Sequence, residues 1–593
     1  MRKTVRYRSV LCALLLAGAA QAENIFSPYL KDTPPKIVEV ISKTEEDGVE
    51  ITKLKFLNRT LPKTGEEVIV YGILARPAKK GTYPGVLVCH GGGGYADMVA
   101  PAVIGWAKRG YVSFCQDEPG ICNLAKGSST GPWKEHKWSS FTATPDATCS
   151  MLFDGVAAGL NGLAMLRSQP DVDKDHIGVT GGSWGGYMTT MVSGLAGDRV
   201  KASFAIYGCG FYDVGSIWTA RIEAMDKAER ERWLKHLDAG RRASGIRSHF
   251  FVTPAANDWF FWPCAVMATY NEIRSPKTIA FSPNDSHRIT IPGGTTGPQK
   301  LDRRANRTYM EILWMEYHLK GKGKPFPVCT AEAKQKRKGE GIEVRFTVDG
   351  PIPLKSVTIC HSPGEMPWRN RYWETVEARK TPGKTYGAVI PVYETQCPIN
   401  WFALAGDERD ITVSTTMQEV KPSAVGFRPK ERRDRLFAED FETAEAPRRW
   451  LRPYAKRYKD AKHKVCPQAA HSGAKGLRIQ GKMIVRCDGI RGETLKRSAS
   501  KGLSFWARSP GGTGFDLVLM AEKPNGTRCY WRARLPDPGP EWRRIDVPWT
   551  DLRFAGKGAP PVQMLSSALG QIRFATPDET SDIHIDDIST TAK

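Results

Sequence analysis

Residues 179–190 read VTGGSWGGYMTT, with Ser183 set among four glycines, behind a short apolar run and ahead of a helix-like stretch. Glycine costs backbone entropy wherever it sits, so four together mark a turn that takes strained angles or is approached closely. From about residue 36 to 320 the chain alternates β-like and helix-like runs, which predicts an α/β domain. GVEITKLKFL and EEVIVYGILARP read as two opening antiparallel strands. YPGVLVCHGGGG, GYVSFCQDEPG, DHIGVTGGS, VKASFAIYG, HFFVTPAAND and KTIAFSPND follow as strands, several nearly continuous in apolar residues. Such runs fit parallel strands covered on both faces. The charged stretch MDKAERERWLKHLD reads as a helix with Asp226 as its N-cap.

At 593 residues the chain is too long for one core, and its 41% apolar content is enough for several. The pattern changes after GKGKPFP: GIEVRFTV, KSVTICHS and INWFALAG alternate as strands with no long helix. That predicts a small Ig-like β-sandwich over 326–428. GFRPKERRDR reads as a charged linker, and 429–593 is again all-β. The expected architecture is a mostly parallel sheet flanked by helices over 23–325, followed by two all-β sandwich domains.

Residues 1–22 carry a basic n-region, an apolar h-region and an Ala20-Gln21-Ala22 cleavage site, the pattern of a signal peptide. The expected location is secreted or periplasmic, with no transmembrane segment. Twelve cysteines remain beyond it, with no CxxC to suggest zinc, and spacing does not reveal pairing. The formal charge of +23 favours an acidic partner. Given export, a polyanionic polysaccharide or an anionic cell surface suits better than nucleic acid. The basic run KQKRK (334–338) reads as a solvated linker at a domain junction.

Gly181-Gly182-Ser183-Trp184-Gly185 is G-x-S-x-G between a strand and a helix, the setting of a nucleophile elbow. The turn is expected to leave no room for side chains on either side. HGGGG (90–94) follows the third strand, where backbone amides of Gly91 and Gly92, with that of Trp184, are the expected oxyanion donors. His90 reads as a loop brace. A serine needs a base, and the base an orienting carboxylate, in the chain order Ser, Asp, His. VTPAAND puts Asp258 and AFSPNDSH puts His287 at the required strand ends. Asp213 is the rival acid, and Asp285 lies too close to His287 along the chain.

YPGVLVCHGGGG, SQPDVDKDHIGVTGGSWGGY, AANDWFFWP and FSPNDSHR together resemble the α/β-hydrolase superfamily. The nearest branch is that of acetyl xylan esterases, dienelactone hydrolases and the catalytic domain of prolyl oligopeptidases. The resemblance implies a Ser183–Asp258–His287 triad and no catalytic cofactor. It departs from the prolyl oligopeptidases in lacking a leading β-propeller, and from the acetyl xylan esterase group in lacking its Arg-Gly-Gln motif. Trp133, Trp138, Trp218, Trp259 and Phe261 fall in loops expected near the site and are candidates to stack on sugar rings. FAEDFETAEAPRRW, KGLSFWARSP, EWRRIDVPW and IHIDDIS resemble jelly-roll carbohydrate-binding modules. That resemblance implies a structural calcium with Glu442 and Asp587 as candidate ligands. The expected function is ester hydrolysis on an acylated polysaccharide. A peptidase of the prolyl-oligopeptidase type and a non-catalytic carbohydrate-binding protein are the alternatives.

Overall fold

The structure, a computed structural model, describes residues 24–591 other than 134–138, 288, 290–308, 364–367, 372, 393, 394, 396, 429–437, 444, 445, 452–457, 459, 489–500, 523–527 and 561–568. The expected signal peptide and most of the expected linker lie outside these residues.

The first sheet contains β1 (Ile37–Glu46), β2 (Val49–Thr60), β3 (Glu67–Pro77), β4 (Tyr83–Cys89), β5 (Val112–Gln116), β6 (Val172–Gly182), β7 (Ala202–Ile206), β8 (His249–Thr253) and β9 (Lys277–Ile279). Their order across the sheet is β1-β2-β3-β5-β4-β6-β7-β8-β9. The β1–β2, β2–β3 and β3–β5 pairs are antiparallel. From β5 to β9 every pair is parallel. Eight of these strands are legible in the sequence. The ninth, β1, is not, because nearly all its residues are exposed and no alternation of burial marks it.

Helices cover both faces, as near-continuously buried strands such as β5 and β7 require. They are α1 (Ala96–Lys108), α2 (Met151–Arg167), α3 (Trp184–Ala196), α4 (Thr219–Glu223), α5 (Lys227–Leu237), α6 (Pro263–Glu272) and α7 (Tyr309–Lys320). Asp226 caps α5 by accepting the Glu229 amide at 2.9 Å. No helix among the described residues is long and apolar enough to cross a membrane.

Beyond α7 the described chain is antiparallel β. Two sheets, built around the strands Gly341–Asp349 and Leu354–Pro363, form a second region between Val328 and Val420. Two six-stranded sheets form a third region from Ala438 to Thr591. The KQKRK run is not a linker. Lys336–Lys338 is a strand of a hairpin with Gly341–Asp349, and Lys336 and Lys338 both reach Glu343, at 3.1 and 3.0 Å. Alternate lysines on one face suit a strand, and Gly339 at φ 58° supplies the turn.

The apolar interior is divided unequally. One buried cluster runs from Phe26 to Phe427, joining the first sheet and its helices to the second region. A separate cluster, from Phe441 to Ile588, fills the third region.

Candidate active site

β6 ends at Gly182 and α3 begins at Trp184, so Ser183 alone makes the corner. Its φ of 60° and ψ of −123° lie outside the regions open to most residues, a cost of about 1–3 kcal/mol. Backbone bonds hold it there: the Ser183 amide donates to Ile206 O (2.9 Å), and the Gly186 and Tyr187 amides donate to Ser183 O. A Cβ at Gly181 would lie 2.4 Å from Gly185 O, and one at Gly185 2.5 Å from Cys89 O. At Gly182 the nearest atom would be Ile206 Cβ at 3.8 Å, so the expectation of no room holds for the motif glycines and not for this one.

Three distant side chains meet above the corner. His287 Nε2 stands 2.9 Å from Ser183 Oγ, and His287 Nδ1 stands 2.9 Å from Asp258 Oδ2. Asp258 is buried, and its Oδ1 accepts the amides of Phe260 (2.8 Å) and Phe261 (3.3 Å). Those bonds fix the carboxylate's rotation and leave Oδ2 for the imidazole. Tyr207 lies against one side of the His287 ring at 4.3 Å and Phe260 lies at 4.8 Å. The rival acid Asp213 is engaged by Arg241 at 2.8 and 3.1 Å. Asp285 accepts the Ser282 hydroxyl within its own loop.

The glycine loop lies beside the serine. His90 is buried, with Nδ1 donating to Gly91 O (2.9 Å) and Nε2 accepting the Glu118 amide (3.0 Å). Both ring nitrogens are thus committed to the backbone, and burial pushes the imidazole below its usual range. His90 braces the loop. Burial also pushes the Glu118 carboxyl well up. The Gly93 and Gly94 amides go to Ile121 O and Gly91 O. Gly92 and Trp184 line the cavity next to Ser183, whereas a Cβ at Gly91 would lie 3.1 Å from Gly182 O.

That cavity, of about 450 Å³, is lined by Ser183, His287, the glycine loop, Gly120, Ile121, Ser140 and four aromatics, Phe141, Trp184, Trp218 and Phe260. The aromatics form one wall: Phe141 and Phe260 each stack on Trp218, at 6.2 and 6.0 Å. Of the rings expected here from sequence, Trp218 lines the cavity. Trp259 lies against Phe260 at 4.2 Å and is 37% exposed, outside the lining. Phe261 is 1% exposed and packs behind, 5.3 Å from Trp218 and 5.9 Å from His287. Trp133 is not at the mouth. It is 6% exposed, its indole N–H donates to Asp154 Oδ2 at 2.9 Å, and that buried carboxylate, also paired with Arg59, draws the ring inward. Trp138 lies outside the described residues.

Phe141 was not legible as a lining residue. Phe260 sits in the aromatic run beside Asp258 and shares its signal, whereas Phe141 lies in an irregular loop with no pattern around it. That loop is held by α5: Glu229 Oε1 accepts the Thr142 hydroxyl and the Ala143 amide, and the Trp233 indole donates to Ser140 O.

Glu442 and Asp587 both face the turn at 471–475. Glu442 Oε1 accepts the amides of Ala474 and Lys475, and Asp587 takes the Ser472 hydroxyl and His471 Nδ1. Among the described residues no three His, Cys, Asp or Glu side chains converge to hold an ion. This donor set, already turned to N–H and O–H groups, does not fit the roughly six to eight oxygens that calcium takes.

Residues 38–292, which include all three residues meeting at the corner, match the family model for acetyl xylan esterase (AXE1). A curated relative, the acetyl esterase Axe7A of Xylanibacter ruminicola, is 23% identical over 279 residues, covering 44% of this chain and 58% of the relative. This chain therefore spans under two thirds of that relative's length. Among solved structures, acetyl xylan esterase 1 from a Thermoanaerobacterium species is 19% identical, with a TM-score of 0.36 and coverage of 49% of this chain and 91% of that one. An S-formylglutathione hydrolase from Agrobacterium tumefaciens is 15% identical, with a TM-score of 0.35 and coverage of 48% and 100%. By its sheet order and its strand–serine–helix corner the N-terminal part of the chain has the α/β-hydrolase fold, and over residues 38–292 it is similar to acetyl xylan esterases.

Proposed function

We propose that this protein is an exported serine esterase that removes acyl groups from a polysaccharide. The observation that carries the reading is the pair of 2.9 Å contacts linking Ser183, His287 and Asp258. In the proposed reaction His287 Nε2 takes the Ser183 proton as Oγ attacks the ester carbonyl. Asp258 holds Nδ1–H and stabilises the imidazolium that forms. The amides of Gly92 and Trp184 receive the oxyanion, and the N-terminus of α3 favours the same negative charge. His287 then returns the proton to the departing sugar oxygen, leaving an acyl-serine that water hydrolyses by the reverse path.

The cavity supports a neutral ester carried on a ring. No Asp, Glu, Lys or Arg among the described residues lines it, and its aromatic wall offers faces on which a sugar stacks. The acetyl xylan esterase match favours acetyl as the acyl group. The signal-peptide pattern of residues 1–22 supports export, and the +23 charge supports an acidic polysaccharide as the wider partner. The reading is tested by offering the purified protein p-nitrophenyl acetate, acetylated xylan and a prolyl p-nitroanilide. Acetate release that disappears in Ser183→Ala is expected. Faster turnover of the anilide overturns it in favour of a peptidase.

A further inference from the structure

Ser183 sits on a rigid strand–helix corner, but Asp258 and His287 come from loops, and both loops reach beyond the first sheet. Asn257, adjacent to Asp258, donates from Nδ2 to the carbonyls of Trp368 (3.1 Å) and Arg371 (2.5 Å). Asn284, three residues before His287, donates from Nδ2 to Trp373 O (2.9 Å) and accepts the Trp373 amide at Oδ1 (2.8 Å). The two loops are also tied to each other, the Asn257 amide donating to Asp285 O at 3.0 Å and the Ala256 amide to Ser282 O at 2.8 Å.

Trp368, Arg371 and Trp373 belong to the second β region and are anchored in it. The buried Arg371 guanidinium lies 3.6 Å over the Trp368 ring and donates to Asn400, on the strand Ile399–Asp407. Trp373 is buried against Phe402 of the same strand at 4.9 Å. A second bridge runs through Ser414, which accepts the Phe281 amide (3.1 Å) and donates to Ile279 O (3.3 Å).

We propose that Asn257 and Asn284 are positioning residues, and that the second β region, through Trp368, Arg371 and Trp373, holds the acid and base loops in register over Ser183. The inference rests on the serine-esterase reading above. Neither asparagine touches the reacting atoms. Each acts by fixing the backbone from which Asp258 or His287 projects. A displacement of about 1 Å at a reacting pair lowers rate by about 10²-fold, so loops without regular structure need such a support. Asn284 has a φ of 58°, a conformation glycine adopts freely, so Asn284→Gly removes the bridge without straining the turn.

The test compares kcat, KM and Tm on p-nitrophenyl acetate for wild type, Asn284→Gly, Asn284→Asp, Asn257→Ala and Arg371→Met, with Ser183→Ala as the blank. In Asn284→Gly, kcat is expected to fall about tenfold or more with KM within about twofold, and labelling by a fluorophosphonate to slow in parallel. Asn284→Asp, which keeps the acceptor for the Trp373 amide, is expected to recover part of the loss. Arg371→Met is expected to lower kcat from a position far from substrate. Full kcat in Asn284→Gly and Asn257→Ala, with only Tm lowered, overturns the proposal while leaving the esterase reading intact. Absence of ester turnover and of labelling in wild type overturns both.

Discussion

His287 Nε2 and Ser183 Oγ lie 2.9 Å apart although 104 residues separate them in the chain. A second contact 29 residues back, to Asp258, completes the line. In the proposed mechanism the three groups act as a unit, so Ser183→Ala or His287→Ala alone is expected to remove nearly all ester turnover, a loss of about 10⁵- to 10⁶-fold in kcat. Asp258→Asn, which keeps the shape but changes the preferred imidazole tautomer, is expected to lower kcat by about 10⁴-fold. Steady-state rates on p-nitrophenyl acetate check this ordering.

The elbow glycines are expected to separate sharply. Gly185→Ala drives a methyl into the Cys89 carbonyl and should cost several kcal/mol or abolish folding. Gly182→Ala would meet only Ile206 Cβ, at the ordinary contact distance of 3.8 Å, and should leave kcat within a few-fold of wild type and Tm close to it. Expression, circular dichroism and esterase assay of the two variants decide the matter.

Trp218 and Trp133 are expected to behave oppositely. Trp218→Ala removes the ring that both Phe141 and Phe260 stack on, and should raise KM for acetylated xylan more than for p-nitrophenyl acetate. Trp133→Phe leaves a buried Asp154 oxygen without its indole donor, at a cost of about 1–3 kcal/mol, with KM unchanged. Kinetics and thermal melts on each variant separate a cavity wall from a core brace.

Acid should destabilise the first region through the imidazole of α7. Burial, with His249 stacked at 4.2 Å and Lys201 nearby, pushes His318 down to about 3. The unfolded chain takes up a proton near pH 6.5 that the folded chain refuses, so stability is full above that pH and declines as pH falls towards 3. Between pH 7 and pH 5 the loss from this group is about 1–2 kcal/mol. His318→Phe should show a shallower fall of Tm over that interval.

The meeting of Ser183, Asp258 and His287 was legible where the proposed chemistry fixes chain order. An elbow serine calls for an acid and then a base at later strand ends, and AAND and SPNDSH offer candidates where the periodicity ends each strand. What was not legible depends on partners far along the chain. β1 shows no alternation because it lies at an edge with both faces largely wet. Trp133 reads like any loop aromatic until Asp154 and Arg59 are seen to gather around it. Lys336 and Lys338 look like a solvated run because Glu343, which pairs both, lies across a turn. Asn257 and Asn284 look like ordinary turn asparagines, since the carbonyls they hold lie 111, 114 and 89 residues ahead.

The division of the interior sets where this polypeptide tolerates the knife. Phe251 meets Phe326 at 5.6 Å and Phe281 meets Phe402 at 5.2 Å, so excising the second region together with Phe326 would strip oily surface from beneath the very strands that lead to Asp258 and His287. The third region carries its own filling and is the portion that shuffling between chains would trade without disturbing the Ser183 corner. A transplantable unit holding Ser183, Asp258 and His287 therefore ends after Phe427, well past α7.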